Sequence, residues 1–218
     1  INGTTFVLCA VMGLLPSVIP FDADSAAYCK KMDKGSEMAR PGYYSVRLAE
    51  DRIVCETSVL AHSAAYRFTF PNGSGAYLLV DPGWGVQGNE PVRRIDMTSP
   101  GACFGRYVMD SEARQQSPTR IALHTRQVAW NEVECWSVME FSVPVKAARK
   151  LRAGRFPYGE IWEYEFGELP GGRLDVRLAL SKNSIRAAAR NLEAEMPAFA
   201  FDEVKERSCA EWQRYLSR

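Results

Sequence analysis

Apolar and polar residues alternate with a period of two along most of the chain. In residues 43–48 this spacing places Tyr44, Val46 and Leu48 on one side of an extended backbone. The same alternation recurs in residues 65–70, 161–166 and 174–180. Successive side chains of a strand point to opposite faces, so the pattern is typical of antiparallel strands that bury one face.

Turn-forming residues separate these segments. Pro, Gly, Asn, Ser and Asp cluster at residues 71–75, 81–83, 99–101 and 170–172. Residues 42–81 predict a meander of four strands. Further strands are predicted at residues 6–15, 103–109, 119–126 and 134–142. Many short strands at roughly ten-residue spacing predict a mainly β chain folded as an antiparallel β-sandwich.

The periodicity changes after Ser181. Residues 183–196 carry apolar side chains at helical spacing. Either Ser184 or Asn183 is suited to cap the N-terminus of this helix, and Pro197 ends it.

A second helix is predicted from about Asp202. Its apolar stripe consists of Val204, Ser208, Trp212 and either Tyr215 or Leu216. We therefore expect a β-sandwich domain at residues 1–181 and a helical segment at residues 182–218. The apolar stripe predicts that the second helix packs either on the sandwich or on a further domain.

Charge and hydropathy argue against two classes of partner. The chain has 27 Lys and Arg against 26 Asp and Glu, with no basic stripe, so a nucleic-acid partner is not expected. The apolar run at residues 6–15 is too short to span a bilayer, so no membrane partner is expected. The six cysteines are far apart and form no metal-ligand motif, so no metal site is predicted.

Candidate catalytic residues are few. The two histidines, His62 and His124, lie in no recognisable nucleophile or metal motif. Glycosidases need a pair of carboxylates, one on each side of the scissile bond. Three candidates lie on or beside one predicted strand, namely Glu160, Glu163 and Glu165. We interpret the last two as members of a solvated strand face. No catalytic residue is predicted in this chain.

Tryptophan side chains are the other candidates, because sugars stack on exposed aromatic rings. Trp136, Trp162 and Trp212 occupy positions expected to face a core, and Trp130 lies in a predicted loop. Trp84 follows an apolar strand within the turn at residues 82–86. It is the predicted substrate-binding residue.

Two ordered sets of segments resemble glycoside hydrolase family 92, whose members are largely exo-acting α-mannosidases. The first set is Ala39–Leu48, which contains PGYYSVRL, followed by residues 52–57 and by YRFTFP at residues 66–71. The second is residues 178–181, followed by residues 187–197 and the helix at residues 201–216. Residues 136–144 are similar to another strand of the family.

The resemblance implies a galactose-mutarotase-like β-sandwich that packs against an (α/α)6 catalytic domain. In the family, hydrolysis inverts the anomeric centre and depends on calcium. The acid, the base and the calcium ligands lie mainly in the helical domain. Residues 182–218 would then be the linker to such a domain, which this chain does not contain. His62 and Tyr66 stand where the family usually has Arg and His.

The function implied is therefore that of a supporting domain. We expect the N-terminal domain of an exo-acting α-1,2-mannosidase, which braces a helical catalytic domain, helps to shape its sugar site and is inactive alone. Expected partners are that domain and a mannose-containing glycan, with calcium in the full-length enzyme and no cofactor in this chain. Members of the family degrade extracellular glycans, so the resemblance implies a secreted or periplasmic protein. The alternatives are a stand-alone carbohydrate-binding domain, a purely structural domain or a mutarotase-like isomerase.

Overall fold

Two antiparallel sheets face each other in the computed structural model, which describes residues 7–9, 12–22, 30–82, 109–127, 134–151 and 160–217. The small sheet has the order β1 (Val7–Cys9), β2 (Met12–Ser17), β7 (Tyr77–Asp81), β12 (Ile161–Glu165) and β11 (Ala147–Leu151). The large sheet has the order β3 (Met32–Arg40), β4 (Tyr43–Leu48), β5 (Val54–Val59), β6 (Ser63–Thr69), β13 (Arg173–Ser181), β10 (Glu134–Phe141), β9 (Arg120–Gln127) and β8 (Met109–Ser117). The predicted antiparallel β-sandwich is confirmed.

The core lies between the inner faces of the sheets and follows the predicted alternation. Phe68 and Leu178 come from the large sheet, and Leu78 and Tyr164 from the small sheet. All four side chains are at most 2% exposed. The Phe141 ring contacts Tyr164 at a centroid distance of 5.7 Å. Burial of these side chains removes apolar surface from water, which is the main stabilising term for such a core.

The predicted meander over residues 42–81 is wrong in one respect. Four strands do occur there, but β7 belongs to the small sheet. The place beside β6 is taken by β13, which pairs with it from Arg173↔Thr69 to Ala179↔Ser63. The chain therefore crosses between the sheets after β6, and β7 pairs with β2 and β12 instead.

Two other predicted strands have different bounds in the structure. The apolar run at residues 6–15 was expected to form one strand, whereas β1 and β2 form an antiparallel pair there. The strand predicted at residues 103–109 corresponds to β8, which begins at Met109, and residues 101–108 lie outside the described part. The strands predicted at 119–126 and 134–142 are confirmed as β9 and β10.

Both predicted helices are confirmed, and they cover the outer face of the large sheet. They are α1 (Ile185–Glu195) and α2 (Phe201–Leu216). The Ser184 hydroxyl accepts a hydrogen bond from the Ala187 amide at 3.1 Å, which is the expected N-cap contact. Leu192 and Val204 pack with Val138 and Ala179 of the sheet in a second apolar cluster. Neither helix is long and apolar enough to cross a membrane, within the residues described.

The outer face of the small sheet corrects the interpretation of Glu163. Its side chain is buried instead of solvated. The carboxylate accepts hydrogen bonds from the Phe21 amide at 2.5 Å and from the Arg149 guanidinium at 3.0 and 3.1 Å. Residues 20–22 therefore cross this face and are attached to it by the buried carboxylate of Glu163, which also pairs with the partly exposed Arg149. Glu165 does lie nearer the surface, in a 2.6 Å ion pair with Lys146.

Candidate interdomain surface on the terminal helix

The turn between β3 and β4 lies directly against the backbone of α2. Gly42 in this turn has a φ of +83°, a conformation that favours glycine. A Cβ atom at this position would lie 2.7 Å from the Cys209 amide nitrogen. The Ser58 hydroxyl donates to the Gly42 carbonyl, and the Ser208 hydroxyl donates to the Val59 carbonyl, both at 2.7 Å. The absence of a side chain at residue 42 thus allows the helix to touch the sheet.

Tyr43 forms the floor beneath the same helix. Its ring is buried, with the Lys205 ammonium 3.9 Å and the Arg40 guanidinium 5.2 Å from its centroid. Its hydroxyl donates to the Glu56 carboxylate at 2.7 Å. Burial, together with this negative neighbour, raises the pKa of Tyr43 above its ordinary value. The Pro-Gly-Tyr-Tyr segment is therefore the point at which the sandwich holds α2.

Charged side chains on the large sheet hold the connection between α1 and α2. Arg67 donates to Asp175 at 3.0 Å and to Asp202 at 3.0 and 3.2 Å. The same guanidinium lies 4.6 Å from the centroid of the Phe201 ring. The first turn of α2 is thereby attached to the centre of the sheet.

A second arginine, Arg177, holds the residues just before α2. It donates to Glu140 at 2.5 and 2.9 Å and to the Met196 carbonyl. Its guanidinium also lies 5.1 Å from the centroid of the Phe199 ring. Charge-assisted hydrogen bonds of this kind are stronger than neutral ones, so both sides of the connection are held firmly.

The C-terminal end of α1 is joined to the β5–β6 hairpin through Glu195. Its carboxylate accepts hydrogen bonds from the His62 amide at 3.1 Å, from His62 Nδ1 at 2.7 Å and from the Ser63 hydroxyl. Burial acts to raise the pKa of Glu195, but the hydrogen bonds from Ser63 and His62 outweigh it and hold this pKa below its ordinary value. His62 thus has a structural contact with the end of α1.

The C-terminal half of α2 is exposed, which corrects the prediction for Trp212. This side chain was expected to face a core, but it is 45% exposed, and Tyr215 and Leu216 are exposed more fully. The sheet ends near Val59, and the β5–β6 hairpin lies beside the last two turns of the helix on this side. Trp212, Tyr215 and Glu211 on the helix, with Val59, Leu60 and Ala61 on the hairpin, line a groove of about 430 Å³. We call it the aromatic groove.

A second groove, of about 610 Å³, lies on the opposite side of α2. It is lined by Arg40 and Pro41 of the sandwich and by helix residues that include Lys205, Glu206 and Gln213. We call it the charged groove. The two grooves differ in their side chains: the first is lined by two aromatic residues, whereas the second has more charged residues.

Among the described residues, the other candidates do not assemble into a site. Trp84 and Trp130 lie outside the described residues. His124 stacks on Trp136 at a centroid distance of 5.1 Å, on the surface of the large sheet. Glu160 accepts hydrogen bonds from the Trp162 indole and the Ala113 amide, both at 3.0 Å, and so joins the edges of the two sheets.

The described part of the chain also contains free thiols but no cluster of metal-ligating side chains. No group of three or more His, Cys, Asp or Glu side chains there could hold a metal ion. Cys55 and Cys135 are buried free thiols, and burial raises the pKa of both.

Solved structures similar to this chain include GH92 glycosidases. The family GH92 α-mannosidase BT3965 from Bacteroides thetaiotaomicron matches over 95% of this chain and 28% of its own length, with 18% identity and a TM-score of 0.76. The GH92 inverting mannosidase BT2199 from the same species matches over 94% and 26%, with 18% identity and a TM-score of 0.73. The chain spans less than a third of either structure, and these likenesses establish the fold.

A third structure, the GH92 family glycosyl hydrolase CcMan5, matches over 99% of this chain and 30% of its own, with 17% identity and a TM-score of 0.70. No curated protein sequence gives a significant match. The model of the glycosyl hydrolase family 92 N-terminal domain matches residues 3–167, which is most of the sandwich. The chain therefore belongs to the glycoside hydrolase family 92 N-terminal domain family.

Proposed function

We propose that this chain is the N-terminal domain of an exo-acting α-1,2-mannosidase. In this role it braces a helical catalytic domain and helps to shape the site for a mannose-containing glycan. The observation that carries the proposal is that the two halves of α2 differ in burial. Its first half is attached to the sandwich, and its second half presents Trp212 and Tyr215 to solvent. Family membership supports the hydrolase assignment.

The carboxylates of the described residues support a bracing role over a catalytic one. A glycosidase needs one carboxyl group as acid and a second as base or nucleophile, facing each other across the substrate. Glu160, Glu163 and Glu195 are each occupied by two or more hydrogen bonds from the protein. In the proposed enzyme, acid, base and calcium ligands are supplied by the catalytic domain, and export places the protein outside the cytoplasm.

Activity measurements on two polypeptides test this proposal. The 218-residue chain and the complete product of its gene are purified and assayed with 4-nitrophenyl α-mannoside and α-1,2-mannobiose. We expect hydrolysis only by the complete product, with inversion of the anomeric centre seen by proton NMR and loss of activity in a calcium chelator. Hydrolysis by the 218-residue chain alone, or none by the complete product, contradicts the proposal.

The alternative function is a stand-alone carbohydrate-binding domain, and the exposed ring of Trp212 is the observation in its favour. Calorimetric titration of the 218-residue chain with mannose and α-mannobiose distinguishes the two. Saturable heat that is weakened by Trp84→Ala or Trp212→Ala supports sugar binding by this domain. Titration at millimolar sugar still detects binding with a free energy of only about 4 kcal/mol. The absence of heat under these conditions therefore supports the bracing role.

A further inference from the structure

Four basic residues line a depression at the end of β3 and β4 that is remote from α2. They are Lys31, Lys34, Arg47 and Arg52, and the depression has a volume of about 710 Å³. We call it the basic pocket. β4 extends about 17 Å from the turn at Gly42, where α2 is attached, to the end of the strand beside this pocket. The basic pocket is therefore separate from the connection to the helix.

Carboxylates neutralise only part of the charge of the basic pocket. Asp33 in its wall accepts a hydrogen bond from the Arg47 guanidinium at 2.5 Å. Glu37 at its rim accepts one from the Lys34 ammonium at 2.9 Å. The other two basic side chains have no ion-pair partner within the described part of the chain. Four positive and two negative groups leave a net charge of +2 at neutral pH.

Arg52 has a backbone conformation that favours glycine. Its φ is +58°, and it is the one non-glycine residue with a positive φ among the residues that the structure describes. The Arg52 amide donates to the Leu48 carbonyl at 2.9 Å and so closes the β4–β5 turn, a bond that glycine would make equally well. The exposed arginine side chain adds no ion pair that offsets the unfavourable backbone. Strain that is not repaid within the fold is typical of functional positions.

Protection of a sheet edge explains part of the basic character, but it does not explain Arg52. β3 is an edge strand of the large sheet, and lysines and bulges on edge strands prevent pairing with another chain. The register shift between Asp33 and Met38 is such a bulge. Arg52 lies in the turn after β4, outside the edge strand, so edge protection does not require a basic residue there.

Hydrogen bonds within the chain order the walls of the basic pocket. The Arg47 amide donates to the Ser36 hydroxyl of the bulge at 2.9 Å. The Ala49 amide donates to the Lys31 carbonyl at 2.7 Å. A surface whose backbone is already ordered loses little conformational entropy when a ligand binds. The pocket is therefore suited to bind a small charged group.

We propose that the basic pocket binds a phosphate group, as free phosphate or as a phosphate ester on a glycan. Such a group carries a charge of about −1.5 to −2 at neutral pH and three strong acceptor oxygens, which matches the net charge of the pocket. Arginine binds phosphate oxygens through pairs of hydrogen bonds, and lysine acts as a point charge. A carboxylate supplies one negative charge and fits less well. The pocket lies outside the surfaces used in the proposed function, so the failure of either leaves the other standing.

Calorimetric titration of the 218-residue chain tests the proposal with inorganic phosphate and mannose 6-phosphate at matched ionic strength. We expect saturable binding with a Kd of about 1 mM or below, which weakens as sodium chloride is added. Arg52→Gly and Lys31→Gln should each weaken binding about tenfold or more, because each removes a charge-assisted hydrogen bond. Arg114→Gln removes an exposed charge on β8, at the other edge of the large sheet, and is the control that should leave binding unchanged.

Urea unfolding shows whether Arg52 serves binding or stability. Arg52→Gly should leave the unfolding midpoint unchanged or raise it, because glycine adopts a φ of +58° without strain. A lower midpoint together with unchanged phosphate binding would assign the arginine to stability and overturn the proposal. Lys31→Gln, whose backbone has no special conformation, tests the pocket independently of this residue.

The two probes distinguish the sources of the phosphate group. Tighter binding of mannose 6-phosphate than of inorganic phosphate identifies a glycan ester, and equal or weaker binding identifies free phosphate. The absence of saturable heat up to about 20 mM phosphate overturns the proposal. Heat that neither Arg52→Gly nor Lys31→Gln reduces, or that neutral mannose produces equally, has the same consequence.

Discussion

Replacing Gly42 by alanine tests how closely the sandwich holds its terminal helix. Two costs follow from the structure. The φ of +83° is unfavourable for a residue with a Cβ by about 1–2 kcal/mol. The new Cβ would also lie 2.7 to 2.9 Å from three backbone atoms of Ser208 and Cys209, far inside the normal contact distance of about 3.5–4 Å. Overlap of this kind typically costs about 1–3 kcal/mol more.

The total of about 2–5 kcal/mol is a large fraction of the stability of a typical domain, which is about 5–15 kcal/mol. Gly73→Ala is the matched control. Gly73 has a φ of +71°, and a Cβ there would meet nothing within 4 Å. It therefore carries the backbone cost without the overlap, and we expect about 1–2 kcal/mol.

Urea unfolding followed by circular dichroism measures both variants, provided that the slope with denaturant stays unchanged. The difference between them isolates the contact with α2. If Gly42→Ala and Gly73→Ala agree within about 0.5 kcal/mol, the helix does not press on this turn, and the explanation given for the Pro-Gly-Tyr-Tyr segment is wrong.

The contacts of the sheet with α1 and α2 give two further predictions. Arg67→Met leaves the buried carboxylate of Asp175 without its main partner and should destabilise the chain by about 2–4 kcal/mol in urea unfolding. Arg114→Met, which removes an ion pair from a side chain that is 75% exposed, should cost less than about 0.5 kcal/mol, and equal costs would refute the argument. Glu195→Gln should destabilise by about 1–2 kcal/mol at pH 7. Because the pKa of Glu195 is lowered by folding, this difference is present above the ordinary pKa of glutamate and should shrink as the pH falls below about 4. A difference that is constant between pH 7 and pH 3 would contradict it.

Local signals in the sequence predicted the elements whose causes are local. The N-cap at Ser184 and the stop at Pro197 depend on contacts within a few residues, and both are confirmed. The alternation of Tyr44, Val46 and Leu48 likewise depends only on the geometry of one strand. Elements of this kind can be read from a single sequence.

Contacts between distant residues explain the errors. The sheet to which β7 belongs depends on β13, which lies more than 90 residues later and occupies the edge of β6. Glu163 alternates like a surface residue, but it is buried by Phe21, which is 142 residues away. The stripe that contains Trp212 gives the direction of a helix face and carries no information about where the sheet beneath it ends. None of these facts has a local signature.

The position of β13 in the large sheet also determines the order in which the domain can be completed. β13 pairs with β6 on one side and with β10 on the other, so without it the sheet would be two separate parts. On the ribosome, β3–β6 and β8–β10 both emerge before β13, each with an unpaired central edge of the kind that promotes aggregation. Pairing across such sequence distances is slow. The helices follow β13 immediately, so the surface that they carry forms only after the last strand has joined the two parts.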